Sequence, residues 1–289
     1  MKIGFIGTGI MGSRMAHNLL KNNYKLIVHN RTKEKADSLI KAGAEWADSP
    51  IEAAAEADIV FTMLGNPEAV REVSLGEKGF LSGMKNNALW VDCSTVNPAF
   101  SREMSKKADE FHVRFMDAPV AGTKQPAENG ELIFFVGGNK KDFEEVKPLL
   151  EKMGKKILHL GEIGKGTSMK MVVNLMLGIA MASFSEALVL GESLGFDKDT
   201  LFNTLLGGPV TAPYLTAKRE KFARNEFETD FPLQWMHKDL TLVSDTADET
   251  DVTLPTANVV KEVFAMAKQK GFGDLDFSAL YSFLNKDNR

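Results

Sequence analysis

Cysteine is nearly missing from this sequence: Cys93 stands alone among 289 residues, which excludes an intrachain disulfide and any metal site built on cysteine pairs. A reducing, cytoplasmic setting is the expectation, and no metal is expected. No leader is expected either. Met1 and Lys2 run straight into Ile3-Gly4-Phe5-Ile6, with no charged, apolar, then small-residue succession. Positive charge is not in excess, since 35 Lys and Arg face 39 Asp and Glu for a formal charge of −4. Nucleic acid and anionic membrane surfaces are therefore poor partners, and small molecules better ones. Long apolar runs are lacking too: Met171 to Ser185 holds fifteen uncharged residues including Asn174, against the roughly 17–25 that span a bilayer. It reads as a buried helix. What remains is ordinary globular composition, 44% hydrophobic and 26% charged, in a chain long enough for two domains.

Short runs rich in Ile, Val and Phe recur through the first half, at Lys2–Ile6, Leu26–His29, Ile59–Leu64, Leu89–Asp92, Arg114–Asp117, Leu132–Val136 and Ile157–Leu160. Segments of helical period lie between most of them, such as Met11, Met15, Leu19 and Leu20. Alternation of strand and helix predicts an α/β fold, a doubly wound parallel sheet of the Rossmann type over residues 1–162. After Gly161 the strand signals stop. Met169 to Leu194 carries one long helical pattern closed by Gly195, and helical segments follow at Lys198–Leu206, Tyr214–Ala223, Lys238–Thr246 and Pro255–Lys270. Residues 163–289 are expected to form an all-helical domain, with the active site in the cleft between the two. The long helix has more apolar surface than one sheet face would cover, with Met176, Leu177, Ile179 and Met181 spread around it, which points to subunit contacts.

Gly7-Thr8-Gly9-Ile10-Met11-Gly12 follows a strand and opens a helix, the context in which G-x-G-x-x-G binds a dinucleotide. Gly7 permits the tight turn, Gly9 lets a pyrophosphate approach the backbone, and Gly12 lets helix and strand pack closely. The helix N-terminus attracts the anion. An NAD site places a carboxylate roughly 20 residues on, at the end of the second strand, to accept from the ribose. Here Asn30-Arg31-Thr32 stands instead. No carboxylate repels a 2′-phosphate, Arg31 offers a guanidinium and its neighbours neutral donors, so NADP(H) is the expected cofactor. The competing reading of Arg31 is a solvated charge at a strand end.

Lys170 and Asn174, four residues apart near the start of the long helix, share one face. The positive helix end and the apolar neighbours Met169, Met171 and Val172 would both lower the lysine pKa. A lysine of that kind can donate a proton or stabilise negative charge on a carbonyl oxygen, as reduction of an aldehyde requires. Alternatively, its stem lies along the core with its head in water.

Together these blocks resemble the β-hydroxyacid dehydrogenase family along essentially the whole chain. Gly7–Gly12 looks like its cofactor motif, Asp117-Ala118-Pro119-Val120-Ala121-Gly122-Thr123 like its substrate-binding block, Gly164–Asn174 like its catalytic block, and Lys238-Asp239-Leu240 like its C-terminal motif. Within the family, Gly122-Thr123-Lys124-Gln125-Pro126-Ala127-Glu128 is similar to a run of the glyoxylate and succinic semialdehyde reductases. The resemblance makes Lys170 the catalytic lysine, with Asn174 beside it. It adds Ile10, Met11, Met63, Leu64 and Thr95 to the cofactor residues, and places Thr95, Ala121, Gly122, Thr123, Lys170, Phe231 and Asp239 around the substrate. Backbone N–H groups of Ala121–Thr123 would hold a substrate carboxylate. The family commonly has serine where Ala121 stands, so a hydroxyl contact is lost here. The implied function is reduction of a small aldehyde acid with NADPH in a homodimer or homotetramer. Oxidation of 3-hydroxyisobutyrate with NAD is the near alternative, disfavoured by Asn30-Arg31. Oxidative decarboxylation of a phosphorylated sugar acid is disfavoured by Val173, where the similar enzymes carry histidine. A non-catalytic NADP-binding module is disfavoured by Lys170.

Overall fold

The computed structural model describes residues 1–285, and the apolar runs of the first half are its strands. β1 (Lys2–Ile6), β2 (Lys25–His29), β3 (Glu45–Trp46), β4 (Ile59–Thr62), β5 (Leu89–Asp92) and β6 (Arg114–Asp117) form one parallel sheet in the order β3-β2-β1-β4-β5-β6. Every residue of β4 and β5 is buried, as expected of strands covered on both faces by crossover helices. Between β1 and β4 the winding direction reverses, and the carboxyl ends of those strands open a crevice for a ligand. Three helices of this unit start on a polar cap followed by proline. Ser49, Asn66 and Asn97 accept from the backbone N–H of Glu52, Ala69 and Phe100, with Pro50, Pro67 and Pro98 in the first helical position.

The sheet departs from the expected all-parallel arrangement in one respect. β7 (Val120–Ala121), β8 (Leu132–Val136) and β9 (Gly154–His159) make a second sheet in which β7 runs antiparallel to β8. Both β3 and β7 are two residues long, too short to carry an alternating pattern. The run Ile59–Leu64 leaves the sheet at Thr62, so Met63 and Leu64 belong to the loop beyond it.

Two compact units divide the chain, one ending at Lys170 and one beginning at Met171. The division falls inside the long helix Lys165–Ser193, which starts four residues before the expected Met169. In the second unit, Met181, Phe184 and Leu188 of this helix join Phe202, Phe222, Leu240, Phe264 and Tyr281 in an aromatic core. Among the described residues this unit is helical apart from an isolated bridge between Pro232 and Asp276. The expected helix Tyr214–Ala223 splits into a 3-10 turn Pro213–Lys218 and a helix Arg219–Arg224, whereas Lys238–Thr246 grows to Leu233–Glu249.

By length and composition the long helix is apolar enough to cross a membrane, so the shortfall read from the fifteen-residue run does not hold. It is not buried all round. Met169, Val172, Met176 and Leu190 are exposed, Val172 by 56% and Met176 by 65%.

Candidate active site

The glycine turn is built by contact rather than by flexibility alone. Gly7 takes φ +97°, and a Cβ there would lie 2.3 Å from the Met63 carbonyl oxygen. A Cβ on Gly12 would lie 1.9 Å from the Gly7 carbonyl oxygen, so helix Ile10–Lys21 can pack on β1 only without it. Gly9 is different: no atom lies within 4 Å of where its Cβ would be. That open side, ahead of a helix with no acidic residue in its first turn, fits a pyrophosphate on the first helical N–H groups. Thr8 adds a hydroxyl that is buried and has no hydrogen-bond partner within the protein. Such an orphan is what a bound group would satisfy.

Asn30 does another job than the one expected of it. Its Oδ1 accepts from the Thr8 N–H at 3.0 Å and its Nδ2 donates to the Thr32 carbonyl at 2.8 Å, so the side chain clamps the glycine turn to the end of β2. Arg31 and Thr32 are exposed beside it and carry the donors facing solvent.

Behind the turn, the loops after β4 and β5 are locked together. Leu64 N–H donates to Ser94 Oγ at 2.9 Å, Ser94 N–H to Asp92 Oδ1 at 3.1 Å, Thr62 Oγ1 to the same oxygen at 2.7 Å, and Trp90 Nε1 to Thr62 Oγ1 at 2.8 Å. The chain ends on a fully buried carboxylate whose pKa burial raises to about 6, against the donors that favour its ionised form, with the neighbouring Asp117 adding repulsion. Met63, Leu64 and half-buried Thr95 thus follow neighbouring strand ends next to the glycine turn. The segment after β6 is fastened from the cofactor side: Asn18 of helix Ile10–Lys21, itself buried, donates Nδ2 to the Ala127 carbonyl at 2.8 Å, and Arg14 lies 3.8 Å from Glu128. Ala121 and Thr123 are half-buried and Gly122, at φ +119°, is exposed.

Lys170 is 9% exposed and lies in the second turn of its helix, not the first. The helix dipole acts mainly within the first turn, so it bears less on the lysine than the sequence suggests. Of its apolar neighbours only Met171 is buried, Met169 and Val172 being exposed. Asn174 is fully buried one turn on and donates Nδ2 to Asp239 Oδ2 at 2.6 Å, while its own carbonyl oxygen has no partner. Asp239 is 2% exposed, with the Lys238 ammonium 2.9 Å from its other oxygen, so it is a buried group and not a surface charge. Phe231 has other surroundings. It is half-buried edge-on against Phe277 at 5.5 Å, and its N–H donates to Asp276, a buried carboxylate that also receives the Lys218 ammonium at 2.8 Å.

Residues 2–161 match the family described as the NAD binding domain of 6-phosphogluconate dehydrogenase, and residues 164–284 the one described as the NAD-binding domain of NADP-dependent 3-hydroxyisobutyrate dehydrogenase. Two Arabidopsis thaliana proteins are similar over nearly the whole chain. The chloroplastic glyoxylate/succinic semialdehyde reductase 2 is 39% identical over 98% of this chain and 79% of its own length, and glyoxylate/succinic semialdehyde reductase 1 is 38% identical over 97% of each. Among solved structures, a Mycobacterium tuberculosis 3-hydroxyisobutyrate dehydrogenase with L-serine is 30% identical at a TM-score of 0.87 over 98% of both chains. Psf3 in complex with NADP+ and 2-OPP is 26% identical at a TM-score of 0.90, over 98% of this chain and all of the other. A glycine turn open to a pyrophosphate, a strand end without a carboxylate, and these matches across both units lead to one assignment: the chain belongs to the β-hydroxyacid dehydrogenase family and is an NADP(H)-dependent oxidoreductase.

Proposed function

We propose that the enzyme reduces the carbonyl of a small aldehyde acid, glyoxylate or succinic semialdehyde, with Lys170 as proton donor. The observation that carries this reading is the buried polar series on one helix, Lys170 followed one turn later by Asn174 held on Asp239. Charged and amide groups resist burial unless their chemistry is used or satisfied, and the Asn174 carbonyl oxygen is left unsatisfied.

Bound NADPH supplies the hydride. The turn Gly7, Gly9, Ile10, Met11 and Gly12 holds its pyrophosphate, Arg31 and Thr32 meet the 2′-phosphate with Asn30 fixing their loop, and Met63, Leu64 and Thr95 flank it. Ala121, Gly122 and Thr123, with Lys124 nearby, hold the substrate carboxylate. As the carbonyl carbon accepts the hydride, the C=O π pair moves onto oxygen, and the Lys170 ammonium gives that oxygen a proton and is reprotonated from solvent. Asn174 orients the lysine or the same oxygen, and Asp239 holds Asn174.

The enzyme works as a homodimer or homotetramer in this reading, supported by the exposed apolar positions Met169, Val172 and Met176, spaced by three and four along one helix, with Leu190 exposed further along it. Sedimentation of Met176→Glu tests this; an assembly unchanged from the wild type argues against that face.

NADPH absorbance followed with glyoxylate, succinic semialdehyde and methylmalonate semialdehyde tests the activity, beside 3-hydroxyisobutyrate with NAD+. Lys170→Ala is expected to lower kcat by about 10²–10⁴. Undiminished turnover in that variant refutes the proton-donor role, and no turnover with any aldehyde acid refutes the substrate class. Arg31→Ala is expected to weaken NADPH about tenfold and leave NADH unchanged; an intact preference for NADPH refutes the role of Arg31.

A further inference from the structure

Asp117 ends β6 with its carboxylate wholly buried, which ordinarily favours loss of the charge. Both oxygens are nonetheless committed to one place, the start of the long helix. Oδ1 accepts from the Gly164 N–H at 2.7 Å, and Oδ2 accepts from the Thr167 N–H at 2.8 Å and from Thr167 Oγ1 at 3.2 Å. The residues are 47 and 50 positions apart. Behind it, the Asp117 backbone exchanges hydrogen bonds with Gly137 in both directions. The fit leaves no slack: a Cβ on Gly166 would lie 2.3 Å from the Phe135 carbonyl oxygen, and one on Gly137 2.5 Å from Asp117 Oδ1.

We propose that Asp117 is the positioning residue of the catalytic lysine, acting through Thr167 and the first turn of helix Lys165–Ser193. Lys170 lies three residues beyond Thr167, about 4.5 Å along the axis, so its height and rotation are set by where that turn is tied to the sheet. Each residue of slippage would swing its side chain through about 100°, and misplacement of a reacting group by about 1 Å costs on the order of a hundredfold in rate. The inference rests on the reading of Lys170 as proton donor.

The test uses the full-length enzyme with four variants. Thr167→Val removes the hydroxyl from Asp117 and keeps the shape, Thr167→Ser restores the hydroxyl, Asp117→Asn disturbs both oxygens, and Lys170→Ala is the control. Asp117→Asn should lower kcat roughly a hundredfold. Thr167→Val should lower kcat several-fold and move the basic limb of the pH profile of kcat, and Thr167→Ser should return both toward wild type. In Thr167→Val, NADPH affinity by fluorescence titration and KM for the aldehyde acid should stay within about twofold, since no binding contact is touched. Amide hydrogen exchange across residues 164–170 should quicken in Thr167→Val and Asp117→Asn without turnover entering the measurement. If Asp117→Asn fails to fold, the Thr167 pair decides. Wild-type kcat, pH profile and exchange in Thr167→Val beside an inactive Lys170→Ala overturn this inference alone. An active Lys170→Ala overturns the lysine reading and this inference with it.

Discussion

Two junctions at which the chain enters a helix in the first unit, the glycine turn and the start of the long helix, use one physical property for opposite ends. Each presents the orphan N–H groups and partial positive charge of a helix N-terminus. At Gly7–Gly12 the terminus is left open: no acid in the first turn, nothing beside Gly9, and an unpartnered hydroxyl on Thr8. At Gly164–Thr167 the protein fills the terminus with its own anion, Asp117. An open terminus is free to receive a ligand; a filled one becomes a fixture from which a side chain three residues on can be aimed.

The largest expected effect separates glycines that build the open turn from the one that keeps it open. Gly12→Ala drives a Cβ into the Gly7 carbonyl, so it should cost about 3 kcal/mol of stability and abolish NADPH binding. Gly9→Ala meets no atom and has φ −71°, which alanine adopts freely, so its melting temperature should match wild type while NADPH affinity falls. Equal melting losses in both, or full affinity in Gly9→Ala, would sink the division of labour.

That division also explains what was legible in the sequence. The glycine turn is contiguous, and its strand and helix announce themselves on either side. Asp117 is joined to its partners only by the fold, across 47 and 50 residues, and no local spacing signals it. The helix start was displaced to Met169 because Gly161, Gly164 and Gly166 resemble a loop, whereas Gly166 is helical and required by its approach to Phe135. Asn30 was legible as polar near the ribose, but a side chain's partners depend on its direction, and it turns inward to Thr8. Two-residue strands carry no period to detect. Lys170 and Asn174 are legible from their spacing on one helix face, whereas Asp239 comes in only through resemblance; burial and the Asn174–Asp239 contact add the physics that spacing alone lacks.

A second test compares Asp117 with the neighbouring buried carboxylate, Asp92, which meets the Thr62 hydroxyl and Ser94 instead of the long helix. Burial raises its pKa to about 6 from an unfolded value near 4. The folded state therefore holds a proton that the unfolded state has lost across that window, and stability falls as pH rises from 4 to 6. Two pKa units amount to about 3 kcal/mol lost by pH 7. The stability of wild type relative to Asp92→Asn, from urea unfolding at each pH, should fall by about that amount between pH 4 and 7. Parallel curves would show that Asp92 keeps its charge as comfortably folded as unfolded.

The smallest effect makes the open terminus imitate the filled one. Ile10 is the first residue of its helix and is 38% exposed, so Ile10→Glu places a carboxylate at the helix N-terminus without disturbing the core. Favourable interaction with the dipole should stabilise the protein by about 0.5 kcal/mol at low salt. The same charge should repel the pyrophosphate and weaken NADPH roughly tenfold, an effect that fades as salt screens it. Stability and binding thus move in opposite directions from one substitution, which general damage cannot imitate because damage lowers both. Loss of NADPH affinity with a lowered melting temperature would mean that Ile10 matters through packing, and that the contrast between the two termini is not electrostatic.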